Sequence, residues 1–181
     1  MASKTICINC APVLTLWAAF VAEQLGFDVD EALTLGKAMA GLTAQSKGRR
    51  LGVFKLHEEK PGQARKKERG EEFWIELCGR LIPARNAEDG IRAVHGTQII
   101  RPDSVRRYLQ GKFGDDLDAA RKAMQRLAKS LGPKDLAERC FGLYERFRPE
   151  IPEGVKGWGA KGILDLGVIE RLATGRSMRQ G

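Results

Sequence analysis

Cysteine, histidine and aromatic side chains are scarce in this chain: its 181 residues hold four Cys, two His, three Trp, two Tyr and seven Phe. The thiols, at positions 7, 10, 78 and 140, fall far below disulfide-scaffold density and repeat no framework spacing. A disulfide-stapled secreted domain is therefore excluded, and a reducing compartment fits. There is no H-E-x-x-H, no G-x-S-x-G and no Walker A sequence, so the usual signatures of zinc hydrolases, serine hydrolases and P-loop NTPases are missing. Long apolar runs are missing too. The most apolar stretch covers the 15 residues 11–25 before Gly26, short of the roughly 20 that a membrane span needs. MASKTICINC carries one Lys and no secretory pattern, so a cytoplasmic location, away from any membrane, is expected. Glycine and proline follow no triplet period, and 43% apolar residues are too many for a wholly disordered chain.

What is present reads as α+β and mainly helical, in a single compact domain over residues 1–181. At this length folding buries roughly 70% of the unfolded surface. Pro12 suits the first turn of a helix that is apolar nearly all round, with Val13, Leu14, Trp17, Phe20 and Val21. After Gly26, Asp28 or Asp30 caps a second helix bearing Ala32, Leu33, Leu35, Gly36, Met39, Ala40 and Leu42. The two form an N-terminal helical hairpin. Residues 56–72 carry five basic and five acidic residues without apolar period, which predicts a flexible polar loop or linker. Short alternating runs at 73–77, 81–84, 90–94 and 97–100, broken at Gly79, Gly90 and Gly96, predict a small antiparallel sheet of three or four strands. C-terminal helices follow: one capped by Asp103 or Ser104, one from Leu117 to Leu131, one from Leu136 to Phe147, and a last short one around 163–173 after a Gly-rich loop.

The formal charge of +8 is uneven. Residues 1–45 are net −2, 46–55 net +4, 56–72 neutral, and 73–112 and 113–181 each +3. SKGRRLGVFK, with Lys47, Arg49, Arg50 and Lys55 and no acid, reads as a basic loop whose guanidinium forks and glycine-flanked amides suit phosphates. A second group, Arg101, Arg106, Arg107 and Lys112, surrounds Tyr108 with only Asp103 opposing it. The competing interpretation is that these charges complement helix ends and keep the surface wet.

Three patterns bear on specific chemistry. GWGAKG at 157–162 satisfies the letters of a dinucleotide fingerprint, but no apolar strand precedes it and no acidic residue follows about 20 positions on. It reads as a surface loop pinned by Trp158, whose indole is a candidate docking group. Cys7 and Cys10 form C-x-x-C before a helix; only six residues precede the motif and no second pair completes a metal site, so two small thiols at a mobile terminus are expected and no metal or other cofactor. Residues 20–35 have a helix-turn-helix outline, yet the second helix opens with Asp30 and Glu31, the wrong sign for phosphates. Gly36 and Ala40, four apart, predict close approach of another backbone, either the first helix or a second copy.

DEALTLGKAMAGLTAQSKGRRLG (30–52), RYLQGKFG (107–114) and RPEIPEGVKGWGAKG (148–162) resemble segments of a conserved uncharacterised bacterial and fungal protein family. The resemblance implies no activity, cofactor or site residue. The expected function is a binding or regulatory module that contacts nucleic-acid phosphates through 46–55. The alternatives are a protein-interaction or homodimeric scaffold using Gly36, Ala40 or Trp158, and a small-molecule enzyme for a phosphorylated or acidic substrate; without a catalytic motif, the last is the weaker.

Overall fold

The computed structural model describes residues 4–50, 72–88, 90–95, 98–151 and 161–174, with the side chains of 44–50 and of residue 72 set aside. Its centre is α1 (Cys10–Gln24). Because apolar residues occur at nearly every position, this helix has no wet side: Val13, Leu14, Trp17, Ala18, Val21 and Ala22 are completely buried. Trp17 finds the one partner its indole requires, donating to the Cys140 carbonyl at 2.9 Å, and its ring meets Phe147 edge-on at 5.4 Å.

Gly26 ends the first helix with φ +112°, and the Phe27 amide returns to the Ala22 carbonyl. α2 (Val29–Arg50) then opens with a reciprocal capping box. The Glu31 amide donates to Asp28 Oδ1 at 2.9 Å and the Asp28 amide to Glu31 Oε1 at 3.0 Å. A Cβ at Gly36 would strike the Thr15 carbonyl and the Ala19 amide. The small-residue face therefore seats α1, and the alternative of a second copy there is removed: Gly36 and Ala40 are both buried inside the chain.

The expected sheet is an antiparallel meander of β2 (Glu72–Leu77), β3 (Arg80–Ala87), β4 (Gly90–His95) and β5 (Gln98–Ile99). Cys78 (φ +51°) and Gly79 (φ +80°) make the two-residue turn between β2 and β3, where both central residues need positive φ to match strand twist. The β3–β4 ladder stops at Ala84 opposite Ala93. The next residue, Pro83, has no N–H to extend it. On the other side of β4, strand β5 covers only Val94 and His95, because α2 takes the rest of that edge. Glu31 Oε2 accepts from the Ile91 amide and the Thr34 hydroxyl from the Ala93 amide, each at 3.0 Å.

α3 (Pro102–Phe113), α4 (Leu117–Lys129) and α5 (Pro133–Phe147) follow. The third starts at Pro102 rather than beyond Asp103 or Ser104, since proline's fixed φ suits the first helical position. Val105, Leu109 and Phe113 bury one face of α3; Ala120, Met124, Leu127 and Ala128 do so on α4.

The termini depart from expectation. Residues 5–9 form strand β1 (Thr5–Asn9), with Ile6 and Ile8 buried and Cys7 exposed, paired antiparallel with β6 (Lys161–Asp165). The two thiols expected at a mobile terminus instead lie in this strand and at the start of α1, where Cys10 is buried. The last helix, α6 (Leu166–Thr174), begins three residues later than position 163, with the Gly167 amide held by Asp165 Oδ1. Gly162, the final glycine of GWGAKG, is a strand residue: a Cβ there would collide with the Glu150 carbonyl, whose segment bridges to Ile163. No helix among the described residues is long and apolar enough to cross a membrane.

Candidate anion-binding cleft

Where the ladder halts at Pro83 and β5 diverges, a cleft of about 710 Å³ opens between the end of the sheet, α2 and the start of α3, within the range of small-molecule sites. The side-chain anchors on β4 aim α2 at it. Glu31 and Thr34 grip Ile91 and Ala93, so the residues one turn further, Lys37 and Ala38, and two turns further, Gly41 and Leu42, become its wall. Val94, Ile99 and Ile100 add an apolar side, and His95, Gln98, Arg101 and Ser104 a polar one. Among the described residues no carboxylate lines it.

Lys37 is half-buried. Its ammonium lies over the Tyr108 ring, 4.6 Å from the centroid, a placement that partly replaces lost water with the ring's negative face. Burial pulls its pKa below the ordinary lysine value. Arg101 is the residue before the first turn of α3 and stays exposed. Its carbonyl accepts from the Ser104 amide at 3.1 Å and the Ser104 hydroxyl at 3.0 Å. Thus the positive end of a 12-residue helix meets the cleft. Two cations from different helices, a helix N-terminus and an apolar floor suit one ligand chemistry: an anionic head on an apolar body.

The basic groups singled out in the sequence divide differently. Residues 46–50 are not a loop: α2 runs through them to Arg50, so Lys47, Arg49 and Arg50 occupy its last turns, their side chains lying outside the described residues. Lys55 and Trp158 lie outside the described residues as well. Arg106 is committed elsewhere, donating to Asp30 Oδ1 and, at 3.1 Å, to Asp103 Oδ1. Asp103 is therefore not its sole counter-charge, and the guanidinium holds α3 to the start of α2. Arg107 is exposed and is not a cleft residue.

Cys7 is exposed on β1 opposite Ile163, whereas Cys10 is buried at the start of α1. The two do not share an environment, and no group of three or more His, Cys, Asp or Glu positioned for a metal occurs among the described residues. Lys37 and His95 are cleft residues to which the sequence alone assigned no role. The available signal was the i, i+3 step from Thr34 to Lys37, which acquires meaning only once Thr34 is seen on β4.

The chain matches no protein-family model, no curated protein and no solved structure.

Proposed function

We propose that the protein is a binding module for a small amphipathic anion, a phosphate monoester or carboxylate with an apolar body, held between α2 and α3. One observation carries this reading: Lys37 and Arg101 reach the same cleft from separate helices, with no carboxylate beside them among the described residues. The apolar side, built from Val94, Ile99 and Ile100, provides the surface that the ligand's body covers, and the N-terminus of α3 adds favourable dipole to the anionic head.

Thermal shift and calorimetry with phenyl phosphate, benzoate and inorganic phosphate test it. Phenyl phosphate is expected to stabilise the protein most, and Lys37→Met to weaken it about tenfold, the value of one charge-assisted contact. No stabilisation by any of these anions, or equal affinity in the variant, overturns the reading.

A second reading is favoured by the course of α2, which continues from the cleft wall through Lys47, Arg49 and Arg50. Nucleic-acid phosphates would then follow the helix, with affinity falling steeply in salt. A DNA duplex in the same panel separates the two: its binding should respond to Arg49→Ala with Arg50→Ala, and phenyl phosphate binding should not.

A further inference from the structure

Lys37 and Arg101 stand on different helices around one cleft, and neither forms an ion pair among the described residues. α2 is pinned one turn before Lys37, where the Thr34 hydroxyl accepts from the Ala93 amide, so the amine leaves the wall from a fixed point. The side chain is half-buried, and its nitrogen lies 4.6 Å from the centre of the Tyr108 ring. An ordinary surface lysine keeps its proton because water or a carboxylate solvates the ammonium. Here a ring face replaces water on one side, and Val94, Ile99 and Ile100 make the cleft apolar on another. Burial accordingly pulls the Lys37 pKa below the ordinary value. A lysine desolvated in this way, on the wall of an open cleft, is an amine nucleophile as well as a cation.

We propose that Lys37 captures an oxo acid with an apolar side chain as a reversible imine, while Arg101 and the N-terminus of α3 hold the acid's carboxylate. The inference rests on the anion-binding reading of the cleft and adds a carbonyl to its ligand. The ammonium first gives one proton to water or to His95, which lines the same cleft. The nitrogen lone pair then attacks the carbonyl carbon. A C–N bond forms, the π electron pair of C=O moves to oxygen, and that oxygen takes a proton from the nitrogen. The proton first released returns to the new hydroxyl, the C–O bond breaks and water leaves. The nitrogen lone pair completes C=N, and the nitrogen keeps one proton. Lysine ammonium and carbonyl thus become iminium and water, with no oxidant or reductant. The iminium retains the positive charge of Lys37 beside the carboxylate, and hydrolysis by the reverse steps frees the acid.

The test incubates the purified full chain with 4-methyl-2-oxopentanoate and cyanoborohydride, which adds hydride to an iminium carbon and makes the adduct permanent. Intact mass and a peptide map are the readouts. Expected is one adduct, on the peptide holding Lys37, at about ten times the yield at any other lysine, and suppressed by excess phenyl phosphate. The ketone 4-methyl-2-pentanone, which has a methyl group in place of the carboxylate, should label Lys37 about tenfold less, the value of the lost charge-assisted contact. Lys37→Arg, with its folding checked by melting temperature, should lose the adduct; the peptide map reads the same point in the unaltered chain. Label spread evenly over the lysines, label centred on another lysine, or equal labelling by the ketone overturns the proposal. Stabilisation by phenyl phosphate without any adduct overturns the imine alone, whereas neither stabilisation nor adduct overturns the anion-binding reading with it.

Discussion

The two sides of α2 meet opposite kinds of neighbour. One side presses Gly36 onto α1 so closely that a methyl group does not fit. The other carries Glu31, Thr34 and Lys37 toward the sheet and α3, where polar atoms substitute for a missing strand and a cleft remains open. The same helix thus contributes to stability through shape on one face and to ligand recognition through charge on the other. Dry packing tolerates no added volume, whereas the cleft side tolerates volume but not the loss of a polar partner.

The comparison breaks most visibly at Gly36. Gly36→Ala gains about 1 kcal/mol of helix propensity but forces a Cβ against the backbone of Thr15 and Ala19, so a net loss of about 2 kcal/mol is expected in urea denaturation. Gly41, five residues on, has nothing within 4 Å of its would-be Cβ. There the same substitution should raise stability by about 0.5–1 kcal/mol. If the two substitutions shift stability in the same direction, the two-sided account of α2 fails.

Thr34→Val keeps the shape but removes the acceptor for the Ala93 amide. A loss of about 1–2 kcal/mol is expected, with faster hydrogen exchange at Ala93 as the local signature. An unchanged exchange rate there would mean that α2 does not cap the β4 edge.

The mildest effect concerns pH. Anion binding uses the protonated form of Lys37, and burial lowers its pKa, so affinity for phenyl phosphate should decline as pH rises, before an ordinary lysine would titrate. The decline should vanish in Lys37→Met. A decline that persists in the variant assigns the pH effect to another group.

Most helices were readable along the chain because each depends on neighbours within a few residues. The spacing of Leu117, Ala120, Met124 and Leu127, the stop at Gly132 and Pro133, and the glycines between the sheet strands are local signals. Strands β1 and β6 were not readable. TICIN and KGILD are five residues each and are recognisable only together, since Cys7 and Ile163 become partners across most of the chain. For the same reason GWGAKG could be dismissed as a nucleotide motif but not recognised as leading into a strand glycine that Glu150 requires.

The candidate site divides in the same way. Composition and charge patterning were enough to discard the common catalytic and metal motifs and to mark Arg101 as part of a basic group, because residue type and short spacing carry that information. That Arg106 is spent on Asp30, that Gly36 seats α1, and that Lys37 joins Arg101 across 64 positions of sequence came only from the folded chain. Charge and small size state what a side chain can do; the contact that uses it depends on which distant segment the fold brings beside it.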